Sequence, residues 1–237
     1  MSLDHLDRLA AAQSAFADLL AAADPEAPVV SCDPWRVADL ALHLGGVHWW
    51  ASAMSLGVDL DPHEPPGPRD TPTLLAFYTW SAAHLRETLA ARPTDAPALT
   101  LDGPGTAGFW RRRQLHETLV HLADLALATG TDLRAIDDRY GLTASDWTDT
   151  VAELLDTMTP RQVRLGRIEP PADTAELVTE DADVLRLGDG EPVVRVVGPA
   201  RSLALLLWHR TGPDDASLAV SGDRAALDRL LALRLTP

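Results

Sequence analysis

At 237 residues and 25.5 kDa, the chain is long for one small domain and short for three, so its length fits two modest domains. Apolar residues make up 46% and charged residues 23%, enough for a sizeable core, and no apolar run approaches the ~18 residues of a membrane span, which predicts a soluble globular protein. The formal net charge of −15 opposes approach to nucleic acid and anionic membrane, so neither is expected as a partner.

The start, Met1-Ser2-Leu3-Asp4-His5, has neither the basic opening nor the apolar run of a secretory signal, which points to the cytoplasm. Cys32 is the only cysteine, so no internal disulfide can form. All 20 basic residues are Arg, Lys and Asn are absent, and Ile occurs only at 136 and 168, a bias expected of a GC-rich genome.

The first 140 residues read as a bundle of four helices. Leu6, Leu9, Gln13, Phe16 and Leu20 form the face of the first, with Gln13 as a single polar interruption. Asp33 as cap with Pro34 in the first turn predicts a second helix from Trp35 to about Ser55. A loop rich in Pro and charge spans Asp59 to Asp70, and Thr71-Pro72 opens a third helix reaching about Ala91. Pro93, Pro97, Gly103, Pro104 and Gly105 mark a connection, and the fourth helix runs from about Gly108 to Gly130.

Residues 141–237 read as a small α+β domain. A short helix around Asp149–Met158 is followed by strand-like segments at Ala175–Thr179, Val184–Leu187 and Val193–Val197, where Gly188-Asp189-Gly190 suggests a hairpin. Helices are expected at Ala200–His209 and Arg224–Leu233, with a strand at Leu218–Ser221 between them.

The chemistry concentrates on the second and fourth helices. Glu117 and His121 are four apart and leave the same helical face, and His43 lies in an apolar stretch where a lone imidazole is costly. Two imidazoles and a carboxylate meeting inside a bundle suit catalytic zinc with one open position, although iron(II) and other divalent ions accept the same donors. His48 points roughly 140° away from His43, and His116 is misdirected beside Glu117, so neither is expected at the same ion. His84 reads as a pocket wall or a core histidine, and Cys32 as a small buried residue. Trp49, Trp50 and Trp110 read as core or interface anchors. Arg111, Arg112 and Arg113 cannot all face one way, so one is expected to reach a ligand while the others stay solvated.

The stretch Phe109-Trp110-Arg111-Arg112-Arg113-Gln114-Leu115-His116-Glu117-Thr118-Leu119-Val120-His121-Leu122-Ala123-Asp124, preceded by Trp35-Arg36-Val37-Ala38-Asp39-Leu40-Ala41-Leu42-His43-Leu44, resembles the mycothiol-dependent maleylpyruvate isomerase family. Gly190 to Ala200, Leu207-Trp208-His209-Arg210 and Val220-Ser221-Gly222-Asp223 resemble that family's C-terminal domain. The resemblance implies a DinB-like four-helix bundle at 1–140 and a sterol-carrier-like α+β domain at 141–237. It also implies a divalent metal, zinc first, on His43, Glu117 and His121, with Arg210 as the catalytic arginine in a cleft between the domains.

Mycothiol is then the thiol cosubstrate, a small electrophile the other substrate, and isomerisation or thiol transfer the reaction; the GC-rich composition suits the actinobacteria that make this thiol. Many relatives carry Arg directly after the last metal ligand, where this chain has Leu122, which leaves the substrate open. Two rival functions share the residues: metal-dependent hydrolysis of a small amide or ester, and noncatalytic binding of an apolar ligand by the C-terminal domain.

Overall fold

The computed structural model describes residues 4–58 and 68–236; Met1–Leu3 and residues 59–67 of the predicted proline-rich loop lie outside the described residues. The chain divides into two compact units, Met1–Leu142 and Thr143–Pro237. Among the described residues, no helix is long and apolar enough to cross a membrane.

The first unit is built on α1 (His5–Ala22), α2 (Val37–Ser55), α3 (Thr71–Ala90) and α4 (Ala107–Thr129). Leu9, Ala12, Phe16 and Leu20 of α1 are buried at helical spacing, as the pattern predicts. Gln13 is buried among them, and its side-chain oxygen accepts a hydrogen bond from Arg86 of α3 (2.6 Å). Its amide nitrogen has no partner among the described residues. Helices α2 and α3 approach closely at Gly45, where an added Cβ would lie 2.5 Å from the Phe77 ring. Gly130, at φ 66°, ends α4 in the left-handed turn its position predicts.

Helix α2 begins later than the Asp33-Pro34 pair suggested. Residues Val30–Cys32 form a 3₁₀ turn, and Asp33 and Pro34 continue a tight loop closed by hydrogen bonds between Val29 N–H and Trp35 O and between Trp35 N–H and Cys32 O, each 2.9 Å. The start is satisfied from inside the helix, because the Asp39 carboxylate accepts from the Arg36 N–H (2.7 Å). In α3 the cap is Asp70 rather than Thr71, accepting from Thr73 N–H at 3.0 Å.

The connection before α4 contains an unforeseen antiparallel hairpin, β1 (Pro97–Thr100) with β2 (Gly103–Thr106). Its Pro and Gly residues hide the strand alternation, and its pairing is supported by α4, whose Trp110 indole donates to the Leu99 carbonyl (2.6 Å). A further helix, α5 (Leu133–Tyr140), follows α4, capped by Asp132 and ended by Gly141 at φ 66°.

In the second unit, α6 (Ala144–Glu153) continues through a π-helical turn at Leu154–Met158 into α7 (Thr159–Arg164), a longer run than the short helix expected. The strands are β3 (Ala175–Val178), β4 (Val184–Leu187), β5 (Val194–Val197) and β6 (Ala219–Gly222), in the order β4-β3-β5-β6. Gly188-Asp189-Gly190 does not close a hairpin between β4 and β5. Instead β3 pairs antiparallel with β4 and parallel with β5, so the chain leaves edge strand β4 and crosses to the other side of β3.

The sheet buries Ala175, Leu177, Leu187, Val194 and Val196, while α8 (Ala200–Leu207) packs on α6 and α9 (Arg224–Leu231) on β3 and β5. A helical N-terminal bundle followed by a small mixed-sheet α+β unit is therefore the architecture.

Candidate metal centre

Helix α4 places Glu117 and His121 one turn apart on the face that meets α2, and α2 supplies His43 opposite them. His121 Nε2 lies 3.3 Å and His43 Nε2 3.6 Å from the same oxygen, Glu117 Oε1. One donor atom from each of the three lies within 4.8 Å of the others. Tetrahedral zinc with bonds of about 2.1 Å separates its donors by about 3.4 Å, so the donor set and its spacing fit a small divalent cation. The His43 and His121 rings meet edge to face at 5.0 Å. Trp35 lies beside both, 4.7 Å from the His43 ring and 6.4 Å from that of His121, and forms an aromatic wall.

Each of the two α4 donors is held from behind. Arg113, one turn before Glu117 and nearly buried, donates to Glu117 Oε2, which leaves Oε1 for the histidines. Burial alone would raise the Glu117 pKa. The nearby Arg113 charge, with hydrogen bonds from His121 and His43, reverses this and holds the carboxyl well below its usual value. On the far side of His121, fully buried Asp124 accepts from Nδ1 at 2.8 Å. Asp124 also accepts from Ser31 Oγ (2.6 Å) and Cys32 Sγ (3.5 Å), so Cys32 is half-buried and engaged. Burial opposes a charge on His121, but hydrogen bonds to Asp124 and Glu117 prevail and push its pKa up to about 9 in the metal-free state.

The other candidates fall elsewhere. His48 is fully buried on another face of α2, with Nδ1 2.8 Å from Gln114 Oε1. His116 is buried with its ring 6.4 Å from that of His5. His84 is half-buried rather than in the core, and its ring stacks on that of exposed Trp80 at 5.6 Å. Trp110 is a core anchor, with Trp50 edge-on at 5.2 Å. Leu122 is fully buried. Arg210 belongs to the second unit, just beyond α8, where His209 turns the chain at φ 60° and the Arg210 guanidinium donates to the Trp208 carbonyl (2.7 Å). Sequence reasoning missed Arg113, Asp124, Ser31 and Trp35 as members of the site. The spacings Arg113-x3-Glu117 and His121-x2-Asp124 were a legible signal for the first two.

Two solved structures, the mycothiol-dependent maleylpyruvate isomerase and a histidine-to-alanine variant of it, each match with a TM-score of 0.65 at 16% identity, covering 94% of this chain and 97% of theirs. They place the fold as DinB-like in its first part, followed along the sequence by the α+β domain. No curated protein matches the chain. The family description "Mycothiol maleylpyruvate isomerase N-terminal domain" matches residues 6–126, which carry His43, Glu117 and His121, and "MDMPI C-terminal domain" matches residues 148–229, which carry Arg210. With both domains of that family matched in order along the sequence, the chain belongs to the mycothiol maleylpyruvate isomerase family.

Proposed function

We propose that this protein is a metal-dependent enzyme that uses mycothiol to isomerise a small electrophile or to transfer the thiol to it. The observation that carries this reading is the convergence of His43 Nε2, His121 Nε2 and Glu117 Oε1 at the donor spacing of a tetrahedral cation, in a chain of this family. A divalent cation held by these three, zinc first, would lower the pKa of a coordinating thiol and make the thiolate available near neutral pH.

Within that scheme, Arg113 keeps Glu117 ionised and turns Oε1 toward the two imidazoles. Trp35 shields one side of the site from water. Arg210 is assigned to a substrate carboxylate, which its planar guanidinium can hold through two parallel hydrogen bonds. In an isomerisation the mycothiol sulfur adds to the double bond of a cis-enedioate. Rotation follows about the new single bond, and the thiolate then leaves to give the trans product. No side chain need act as nucleophile, in keeping with a lone cysteine whose thiol is directed at Asp124. Leu122, directly after His121, is fully buried and offers no charge to an anionic substrate, so the identity of the electrophile stays open. The net charge of −15 fits a small-molecule enzyme without a nucleic-acid or anionic-membrane partner.

Calorimetric titration of mycothiol into the zinc-loaded and the zinc-free protein tests the reading. Binding is expected only with the metal present. Absence of a metal-dependent signal up to the millimolar range, about −4 kcal/mol, would exclude direct sulfur ligation. Hydrolysis of small esters without any thiol would point to the hydrolase alternative.

A further inference from the structure

We propose that Asp124 is a positioning residue for His121, and that the turn before α2 locks it in place through Ser31 and Cys32. This rests on the metal reading above. The side chain of Asp124 is fully buried, and Ser31 Oγ, Cys32 Sγ and His121 Nδ1 all aim at its two oxygens, at 2.6, 3.5 and 2.8 Å. With three donor groups converging on its two oxygens, the carboxylate accepts from each, so the proton on this side of the ring is placed on Nδ1. A neutral His121 then has its lone pair on Nε2, the atom 3.3 Å from Glu117 Oε1, which is the tautomer and direction that a cation at the three-donor site requires.

Asp124 and His121 are one turn apart on the same helix, and Asp124 is also held from outside α4. The restraint comes from a segment about ninety residues earlier in sequence. Ser31 and Cys32 sit in a turn closed by Cys32 N–H to Val29 O, Val29 N–H to Trp35 O and Trp35 N–H to Cys32 O, all 2.9 Å. The same turn carries Trp35, whose ring flanks His43 and His121. One short loop thus restrains the site from two directions, by hydrogen bonds behind His121 and by an aromatic face beside it.

Cys32, His121 and Asp124 also bring donor atoms within 4.8 Å of one another, which invites a second cation. The hydrogen-bonded arrangement argues against it. His121 Nδ1 is already satisfied by Asp124, and an imidazole binding a cation at each nitrogen would have to lose both its protons.

Asp124→Ala, Asp124→Asn and Ser31→Ala in the full chain test the proposal, with zinc affinity read by competition against a chromophoric chelator. Asp124→Ala is expected to weaken zinc binding by roughly 10- to 100-fold. Asp124→Asn should fall between it and the parent, because the amide oxygen still accepts from Nδ1–H, and Ser31→Ala should cost a few-fold. In the zinc-loaded parent, nitrogen-15 NMR should show an exchange-protected His121 Nδ1–H, kept in Asp124→Asn and lost in Asp124→Ala. A merely structural role would not produce that pattern. If Asp124→Ala does not fold, the other two variants decide the matter. Parent-like zinc affinity in the folded variants, or a second zinc per parent chain, would overturn the proposal while leaving the three-donor site intact. A parent chain that binds no zinc would instead overturn the metal reading, and this inference with it.

Discussion

Replacing His43 by Ala separates the metal from the fold, because the His43 side chain retains 28% exposure and its contact with Glu117 Oε1 is long, at 3.6 Å, while Arg113 and His121 still hold that carboxylate. The metal-free variant should therefore be within about 1 kcal/mol of the parent, the usual range for a partly exposed site. Zinc should distinguish them. At free zinc 100-fold above its dissociation constant, ligation stabilises the parent by about 2.7 kcal/mol. The unit Met1–Leu142 unfolds with roughly 2.1 cal/mol/K per residue, so its entropy change is about 0.3 kcal/mol/K and its Tm should rise by about 9 °C. If removing one donor weakens binding about 100-fold, the same zinc contributes only about 0.4 kcal/mol to the variant, a rise of about 1 °C. Differential scanning calorimetry of both proteins, with chelator and with zinc, measures the two shifts. An equal rise in the variant would show that His43 is not a ligand, and no rise in the parent would refute the three-donor site.

Burial pushes the His48 imidazole down to about 4, although its hydrogen bond to Gln114 works in the opposite direction. The unfolded chain takes up this proton near pH 6.5, so the stabilising contribution is complete above 6.5 and is lost as pH falls toward 4, by about 3 kcal/mol. Denaturant unfolding of the zinc-free protein from pH 7.5 to 4 should thus be steeper in pH for the parent than for His48→Gln, and parallel profiles would rule out a buried neutral imidazole. Arg210→Lys keeps the charge but loses the forked geometry, so thiol-dependent kcat/KM should fall by roughly 10-fold or more while zinc affinity stays unchanged. Unaltered kinetic constants would remove Arg210 from the reaction.

The periodic helices were legible because each carries its own instructions. Leu9, Phe16 and Leu20 repeat at helical spacing, and Gly130 stops α4 wherever the helix packs. Local rules failed where two local signals competed. Asp33-Pro34 looks like a helix start, but the loop is closed by Val29, Cys32 and Trp35 backbone bonds, and Asp39 satisfies the true first turn. The hairpin at Pro97–Thr106 carries no strand pattern because Pro and Gly fill it, and it exists against the start of α4. Sheet order was illegible for a similar reason. Nothing local in Gly188-Asp189-Gly190 says that β5 must run parallel to β3 beyond it.

The same division runs through the candidate site. Sequence alone determined that Glu117 and His121 share a helical face, because a four-residue spacing in a helix leaves them no other arrangement, and that His43 in an apolar helix needs a polar partner. Only the tertiary structure decided which partner. Packing of α2 against α4 brought His43 and His121 to the same Glu117 oxygen and turned His48, five residues on, toward Gln114. It also recruited Ser31 and Cys32 to Asp124 from more than ninety residues away. Spacing along one helix is a local property that the residues themselves impose, whereas the choice among buried polar partners depends on which faces meet when the core closes, and that is a property of the whole bundle.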